Sequence, residues 1–218
     1  EKPAEYLRLS TKSLYIRQYS HKEHFLEPYS NYKSVIYMPL GYISNFFEGN
    51  LSTYNMNVTL HKARQYVWSF VGSLEKHDRH QIIKTMKIFS SNYLVGQKIR
   101  PKNVREIYKN SIFTPNARGN FVLDCFRLYE ASSCGSIPIV VGSKEELNYT
   151  FYHEQNPPWI FAQTWESALK ECQKLLANNI TLLARRKSLL LWWKRRVAGV
   201  RDVVTTRLVE HLSNYKIY

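Results

Sequence analysis

The sequence has few cysteines and few acidic residues, and each shortage excludes a class of protein. Its three cysteines, Cys125, Cys134 and Cys172, are too few and too widely spaced for a disulfide framework or a zinc site, so we expect ordinary buried thiols. No apolar run reaches the ~18 residues that a membrane span requires, and no signal peptide is recognisable at the start. Glu1 in place of Met indicates a processed or trimmed start, which is consistent with a membrane anchor upstream.

The shortage of acidic residues leaves a strongly basic chain. Against 17 aspartates and glutamates stand 31 lysines and arginines, a formal net charge of +14. Such a charge predicts an anionic partner. The partner could be nucleic acid, a membrane surface, an acidic glycan or a phosphorylated small molecule, and the charge alone does not distinguish among these. With 218 residues, 44% of them hydrophobic, the chain is long enough to bury a substantial core.

The hydrophobic pattern predicts an α/β fold. Two short strands at 14–20 and 34–42 precede a long connection over 43–64. Strands at 66–73, 92–96, 111–115, 136–142 and 159–162 then alternate with helices at 78–89, 101–110, 121–134, 144–147 and 165–177, and a last helix begins near Thr181. This alternation is typical of a Rossmann-like parallel sheet with flanking helices, which binds ligands outside the carboxyl ends of its strands.

Arg118 lies in the loop after one of these strands. With Asn120 as N-cap of a helix over 121–134, Arg118 would stand just before a helix N-terminus, where free N–H groups and the helix dipole attract anions. Gly119 would let a ligand approach the backbone closely. A guanidinium there predicts a phosphate clamp, and the alternative is a solvent-exposed loop arginine.

Two further groups of residues fit an anion site. Gly72 and Ser73 end a strand and Arg79 opens the next helix, so the same combination of loop, helix terminus and cation recurs. Arg127 and Glu130 lie three residues apart on one helix face, where Glu130 can accept hydrogen bonds from vicinal sugar hydroxyls. The alternative for that pair is a salt bridge between positions i and i+3 on a solvated face.

Three motifs together resemble a known family. They are "PLGY" at Pro39–Tyr42, "WSFVGS" followed by "DR" at Asp78–Arg79, and "FTPNARG" followed by "LDCFRLYEA" and "CGSIPIVV", over 113–141. This order resembles the exostosin-like glycosyltransferases, family 47 of the sugar-transferase classification, and the resemblance extends over about residues 35–177. Asn116 departs from the family's usual residue before the arginine.

The resemblance implies a GT-B enzyme whose Rossmann-like half binds a nucleotide-sugar donor. By it, Glu130 holds the ribose hydroxyls, Arg118 and Arg79 hold the diphosphate, and Gly72 and Ser73 supply backbone beside the phosphates. Transfer would be inverting, from a UDP-sugar, with no cofactor and no divalent metal required, and the Asp-x-Asp motif of metal-dependent enzymes is absent from the sequence. Residues 1–64 would be the tail of an acceptor-side domain with its connection, 65–180 the donor-binding domain, and 181–218 a C-terminal crossing helix.

An inverting reaction needs a base, which in this family usually comes from the acceptor-side domain. The candidates are His21, Glu23, His24 and His153, the last together with its neighbour Glu154, and each is otherwise a surface residue. Beyond the strand at 136–142, Glu145 and Glu146 are candidates for contacting the donor sugar hydroxyls, and the alternative is that they form a charged first helical turn. The last helix carries many cations, and its apolar residues form a stripe at helical spacing: Leu189, Trp193, Val197, Val200, Val204, Leu208 and Leu212. The cations either contact an anionic surface or stay in water while this apolar stripe packs on the domain.

Four N-glycosylation sequons, at Asn50, Asn57, Asn148 and Asn179, favour the Golgi lumen over the cytoplasm for a eukaryotic protein. The acceptor would then be a glycan or glycoprotein. A catalytically silent GT-B-like partner subunit is the second hypothesis, and a basic nucleic-acid or anionic-glycan binding module is the third. Stacking aromatics interleaved with cations on a sheet are not apparent, so nucleic-acid binding depends on charge alone.

Overall fold

The fold was obtained as a computed structural model. It describes residues 14–18, 35–47, 60, 63–75, 78–119, 122–151, 154 and 156–213. The strands are β1 (Tyr15–Arg17), β2 (Val35–Tyr37), β3 (Tyr66–Val71), β4 (Asn92–Val95), β5 (Ser111–Asn116), β6 (Ile137–Val141) and β7 (Ile160–Ala162). The helices are α1 (Arg79–Met86), α2 (Pro101–Lys109), α3 (Phe126–Ser133), α4 (Lys144–Phe151), α5 (Trp165–Ala177) and α6 (Asn179–Ser213).

Five strands form one parallel sheet in the order β4-β3-β5-β6-β7. This confirms the predicted α/β class with a Rossmann-like parallel sheet and flanking helices. β1 and β2 form a separate two-stranded parallel sheet. The chain runs from β3 outward to β4 and then crosses back to β5 on the other side of β3. A topological switch point therefore lies between the carboxyl ends of β3 and β5, where open α/β sheets bind ligands.

The sheet is buried on both faces, which is why its strands are nearly continuous apolar runs. Trp68 and Phe70 of β3, Phe113 of β5 and Ile139 of β6 are all completely buried. The largest core cluster extends from these strands to the helices α5 and α6. Arg105, on α2, is also buried and donates to the carbonyl of Phe46, which attaches the 43–47 turn to the domain.

The long helix α6 packs through its first half only. Leu189 and Trp193 of the predicted apolar stripe are buried, whereas Leu208 and Leu212, further along, are 43% and 60% exposed. The stripe therefore covers the domain as far as about Val197, which is partly buried against the core. Within the described part of the chain, no helix is both long and apolar enough to cross a membrane.

Three cations of α6 do not stay in water as the amphipathic interpretation expects. Arg186 is buried and donates to the carbonyls of Gly135 and Leu60. Arg185 donates to the carbonyls of Pro158 and Trp159 and contacts Glu171. Arg196 forms a bidentate ion pair with the buried Glu154. These arginines fasten the helix to the loops that precede β6 and β7, so part of the positive charge has a structural use.

Candidate functional site

A cavity of about 350 Å³ lies at the carboxyl edge of the sheet, beside the switch point. The segments after β3 and β4, one face of α2 and the first turns of α3 surround it. Its lining consists of Ile43, Val71, Gly72, Ser73, Gly96, Gln97, Lys98, Ile99, Pro101, Val104, Tyr108, Cys125, Phe126, Arg127 and Glu130. Four residues predicted from the sequence, Gly72, Ser73, Arg127 and Glu130, are thus brought together in one wall.

Glu130 is the carboxylate of this cavity. It lies on the second turn of α3 and is only 6% exposed. Its Oε1 accepts a 3.1 Å hydrogen bond from the backbone N–H of Ile43. Burial raises the pKa of Glu130, because the charged form loses solvation, while the Ile43 N–H and the nearby Arg127 favour the charged form and limit the rise. The result is a buried acceptor whose orientation is fixed by the backbone.

Arg127 joins the two strands of the switch point. Its terminal nitrogens donate to the carbonyl of Val71, at the end of β3, and to that of Ala117, just after β5, over 3.3 and 3.4 Å. The guanidinium stacks over Phe70 with 4.7 Å to the ring centroid. Gly72, at φ +144°, makes this approach possible, because a Cβ there would lie 3.1 Å from Arg127 Nη2.

Arg79 is the second buried cation of this edge. It is the first residue of α1 and is 9% exposed. Its guanidinium carbon lies 5.8 Å from the Phe70 ring centroid, and the side chain donates to the carbonyl of Ser73. Burial and the neighbouring Arg127 lower its pKa. The Nε atoms of Arg79 and Arg127 are both buried and have no hydrogen-bond partner among the described residues. Two buried guanidiniums with unused donors are an arrangement that favours an anionic ligand.

Arg118 lies near this edge but not on the cavity wall. It makes a bidentate ion pair with Glu146 of α4, in which Nη2 and Oε2 are 2.6 Å apart. This hydrogen bonding raises the pKa of Arg118, and Asp78 contributes in the same direction. Arg79 follows β3 and Arg118 follows β5, and since these are neighbouring parallel strands, both arginines lie at the carboxyl edge of the sheet.

The prediction that Arg118 precedes a helix N-terminus is wrong. Helix α3 begins at Phe126, with Cys125 as N-cap, and not at residue 121; Asn120 lies outside the described residues. The Asn116 side chain donates to the carbonyl of Leu123, and the N–H of Gly119 to that of Val122. Residues 122–125, which include both acceptors of these hydrogen bonds, are accordingly not helical. The N-terminus of α3 enters the cavity instead, through Cys125, Phe126 and Arg127.

The other predicted residues have different positions. Glu145 is exposed on α4, and it is its neighbour Glu146 that turns toward Arg118. His21, Glu23, His24 and His153 lie outside the described residues. Glu154, the neighbour of His153, has a side chain 1% exposed that is paired with Arg196, so it is not open to a substrate. In the described ranges, no three His, Cys, Asp or Glu side chains are grouped so as to hold a metal ion.

Sequence reasoning missed Ile43, Phe70 and Tyr108. The Phe70 ring lies within reach of both the Arg79 and the Arg127 guanidinium, and Tyr108 is buried in the cavity lining, where burial strongly raises its pKa. Phe70 lies inside the WSFVGS motif, but both residues read as ordinary core positions. Ile43 contributes a backbone N–H from 87 positions before Glu130, and no pattern in the sequence indicates such a contact.

Comparison with known proteins places the chain in a family. The family model for the RXYLT1 C-terminal domain matches residues 48–213. Human ribitol-5-phosphate xylosyltransferase 1 is 29% identical over 163 residues, which cover 62% of this chain and 36% of that protein. The chain therefore spans only about a third of the length of this relative. The match confirms the glycosyltransferase resemblance drawn from the motifs at 113–141, and the chain belongs to the RXYLT1 C-terminal domain family.

Proposed function

We propose that this chain is the donor-binding part of an inverting glycosyltransferase that uses a nucleotide-diphosphate sugar. One observation carries the proposal: a buried carboxylate, Glu130, and a buried arginine with an unused donor, Arg127, line one cavity at the carboxyl edge of a parallel sheet. A second buried arginine with an unused donor, Arg79, lies near the same Phe70 ring as Arg127. A nucleotide sugar carries both of the complementary groups, ribose hydroxyls that donate and a diphosphate that accepts. The cavity volume lies within the range of small-molecule sites.

Each side chain has a role in this proposal. Glu130 accepts hydrogen bonds from the ribose hydroxyls while the Ile43 N–H keeps its carboxylate in place. Arg79 and Arg118 bind the diphosphate, and the backbone at Gly72 and Ser73 lies beside it. Arg127 lines the cavity and holds the ends of β3 and β5 at the spacing that the ligand needs. The negative charge of the leaving nucleoside diphosphate is then stabilised by guanidiniums.

The reaction would be a single displacement at the anomeric carbon. A base takes the proton of an acceptor hydroxyl, the oxygen bonds to the anomeric carbon from the face opposite the diphosphate, and the bond to the diphosphate breaks. His21, Glu23, His24 and His153 stay the candidates for the base. Because the base typically comes from the acceptor-side half of such enzymes, the relative's greater length is consistent with a second part that completes the site.

The relative's name supports a narrower proposal for donor and acceptor. Human ribitol-5-phosphate xylosyltransferase 1 is named for a xylosyl transfer and a polyol phosphate. We propose a UDP-pentose donor and an acceptor glycan that carries a phosphorylated polyol, for which a net charge of +14 is favourable. Asn148 and Asn179 both have exposed side chains, which supports the proposed Golgi location for a eukaryotic protein.

A thermal-shift titration with UDP tests the donor site. We expect UDP to raise the melting temperature of the wild-type chain, and Arg118→Ala or Glu130→Ala to remove most of that shift. Arg195→Ala, an exposed cation on α6, is the control and should keep the full shift. Equal stabilisation of wild type and both site variants would contradict the assignment. A hydrolysis screen over UDP- and GDP-sugars then separates an enzyme from a silent partner subunit, which would bind UDP without cleaving any donor.

A further inference from the structure

The ion pair between Arg118 and Glu146 connects two loops at the carboxyl edge of the sheet. Arg118 lies in the loop after β5, and Glu146 lies in the first turn of α4, after β6. Nη1 of Arg118 donates to Oε1 and Nη2 donates to Oε2, so the contact is bidentate. The Glu146 side chain is 16% exposed and that of Arg118 is 35% exposed. Glu146 is thus more enclosed than the cation that it binds.

The fold makes room for Glu146 and fixes it. Gly142 follows β6, and a Cβ at this position would lie 2.9 Å from Glu146 Oε2 and 2.7 Å from Leu123 Cδ1. A glycine here therefore lets the carboxylate pass close to the backbone. At its other end, the backbone N–H of Glu146 donates to Oγ of Ser143 over 3.1 Å. Both the backbone and the carboxylate of Glu146 are held before any ligand arrives.

The bidentate contact leaves part of the guanidinium available. Arginine has five N–H donors, and Glu146 engages the fork formed by the two terminal nitrogens. The second fork, made of Nε–H and an outer N–H, has the spacing that matches two oxygens of a phosphate. An arginine held by one edge therefore presents the other edge with its orientation already set, which reduces the ordering cost of binding.

We infer that Glu146 is a positioning residue, which orients Arg118 toward the diphosphate of the donor and does not itself contact the ligand. This inference rests on the proposed donor site. A direct contact with the sugar, the sequence-based expectation for this first turn, would leave UDP binding unaffected by Glu146, because UDP lacks the sugar. A competing role, in which Glu146 blocks Arg118 until the diphosphate displaces it, would make UDP bind more tightly once the carboxylate is gone.

The test is a double-mutant cycle on the 218-residue chain, with UDP and UMP as the probes. Dissociation constants are measured by calorimetry for the wild type, Glu146→Gln, Arg118→Ala and the double variant. We expect Glu146→Gln to weaken UDP binding about tenfold, and to add nothing further in the Arg118→Ala background. Binding of UMP, which lacks the second phosphate, should change less than about twofold in Glu146→Gln. Glu166→Gln, an exposed carboxylate in the first turn of α5, is the matched control.

Each contrary outcome has its own meaning. An equal loss of UDP and UMP affinity in Glu146→Gln would overturn the positioning role. So would a loss of UDP affinity on Glu146→Gln substitution that is the same in the wild-type and the Arg118→Ala backgrounds. Tighter UDP binding would overturn it in favour of competition, and unchanged UDP binding would overturn it as well. A wild-type chain that binds no UDP would refute the donor site itself, and the inference with it. The apo melting transition of each variant reports folding, and Glu146→Asp replaces the amide variant if that one does not fold.

Discussion

Glu130 Oε1 accepts a hydrogen bond from the backbone N–H of Ile43, so the carboxylate of the cavity is attached to a chain segment that precedes the whole five-stranded sheet. The segment around Ile43 includes Gly41, at φ +67°, and Phe46, which is completely buried. A donor that binds Glu130 would therefore also affect the hydrogen bond that holds the segment around Ile43.

Glu130→Gln should stabilise the unliganded protein. Burial raises the folded-state pKa of Glu130 above its ordinary 4.5, so the folded protein holds this proton more tightly than the unfolded chain does. Its contribution to the free energy of unfolding is complete at pH below 4.5 and is lost as pH rises through the folded pKa. The amide cannot ionise, yet its oxygen can still accept from Ile43.

The measurement is the melting temperature of wild type and Glu130→Gln between pH 4 and pH 8, without ligand. At neutral pH we expect the variant to melt at a higher temperature than wild type, by roughly 2–4 °C for each kcal/mol added to the free energy of unfolding. This difference in melting temperature should disappear at the acid end of the range. The variant should nonetheless bind UDP less tightly, since a neutral amide is the weaker acceptor. A variant that melts lower than wild type at pH 8 would contradict the assigned direction of the pKa shift.

Cys125 should be alkylated selectively, and UDP should slow the reaction. Cys125 is partly exposed and lines the cavity, which departs from the expected buried thiol, whereas Cys134 and Cys172 are buried as expected. Burial raises the pKa of Cys134 to about 12, so almost no thiolate exists there at pH 8, and the pKa of Cys172 is raised as well. Mass spectrometry after timed treatment with iodoacetamide measures all three thiols together, two of them as internal controls. Labelling of Cys125 at the same rate with saturating UDP would place the nucleotide elsewhere.

Two glycines should respond in opposite directions to alanine. Gly72 adopts φ +144°, and a Cβ there would meet Arg127 Nη2 at 3.1 Å, so Gly72→Ala should destabilise the fold by at least ~1 kcal/mol and weaken UDP binding. Gly199 lies in α6 with nothing within 4 Å of a Cβ, so Gly199→Ala should stabilise by about 1 kcal/mol. Urea denaturation of both variants checks the pair. Similar unfolding midpoints in the two variants would refute the argument.

Arg196→Gln should be strongly destabilising, because it leaves Glu154 without its bidentate partner. The Glu154 side chain is 1% exposed, and its oxygens are 2.6 and 3.0 Å from Arg196 nitrogens. Removal of one member of a buried pair costs about 3–5 kcal/mol. Arg195→Gln, one residue earlier and exposed, should change the free energy of unfolding by less than about 0.5 kcal/mol. If both variants unfold at the same denaturant concentration, the pair does not stabilise the fold.

Local sequence patterns predicted much of the fold. The helix Trp165–Ala177 has the bounds that its periodicity predicts, and its Thr164 cap with Ser167 forms a reciprocal capping box. The segment before α3 shows the limit. Asn120 and the apolar residues after it satisfy local rules for a helix start, but Asn116 and Gly119 donate short-range hydrogen bonds to the carbonyls of Leu123 and Val122, and residues 122–125 are not helical. A local side-chain-to-backbone contact competes there with helix propensity.

The candidate site was predictable by residue type but not by geometry. Gly72 was identified from its position at a strand end, and Arg127 and Glu130 were identified from their spacing on one helix face; all three line one cavity. The partner of Arg118 was not identified, because Glu146 is 28 positions away on another βα unit. The division into domains at 64 and 180 stays a prediction, as do the base and the roles of the individual site residues.

The parallel sheet also has a consequence for how this chain folds. Tyr66 pairs with Ser111, and no neighbouring pair in this sheet can be closed by a tight hairpin turn, since every ladder in it is parallel. The central strands therefore meet only after long loops have closed, which is typical of slow-folding chains. Apolar strand edges stay exposed during that interval and favour aggregation. Refolding yield should accordingly fall as protein concentration rises, and purification from the soluble fraction is the better route to natively folded protein.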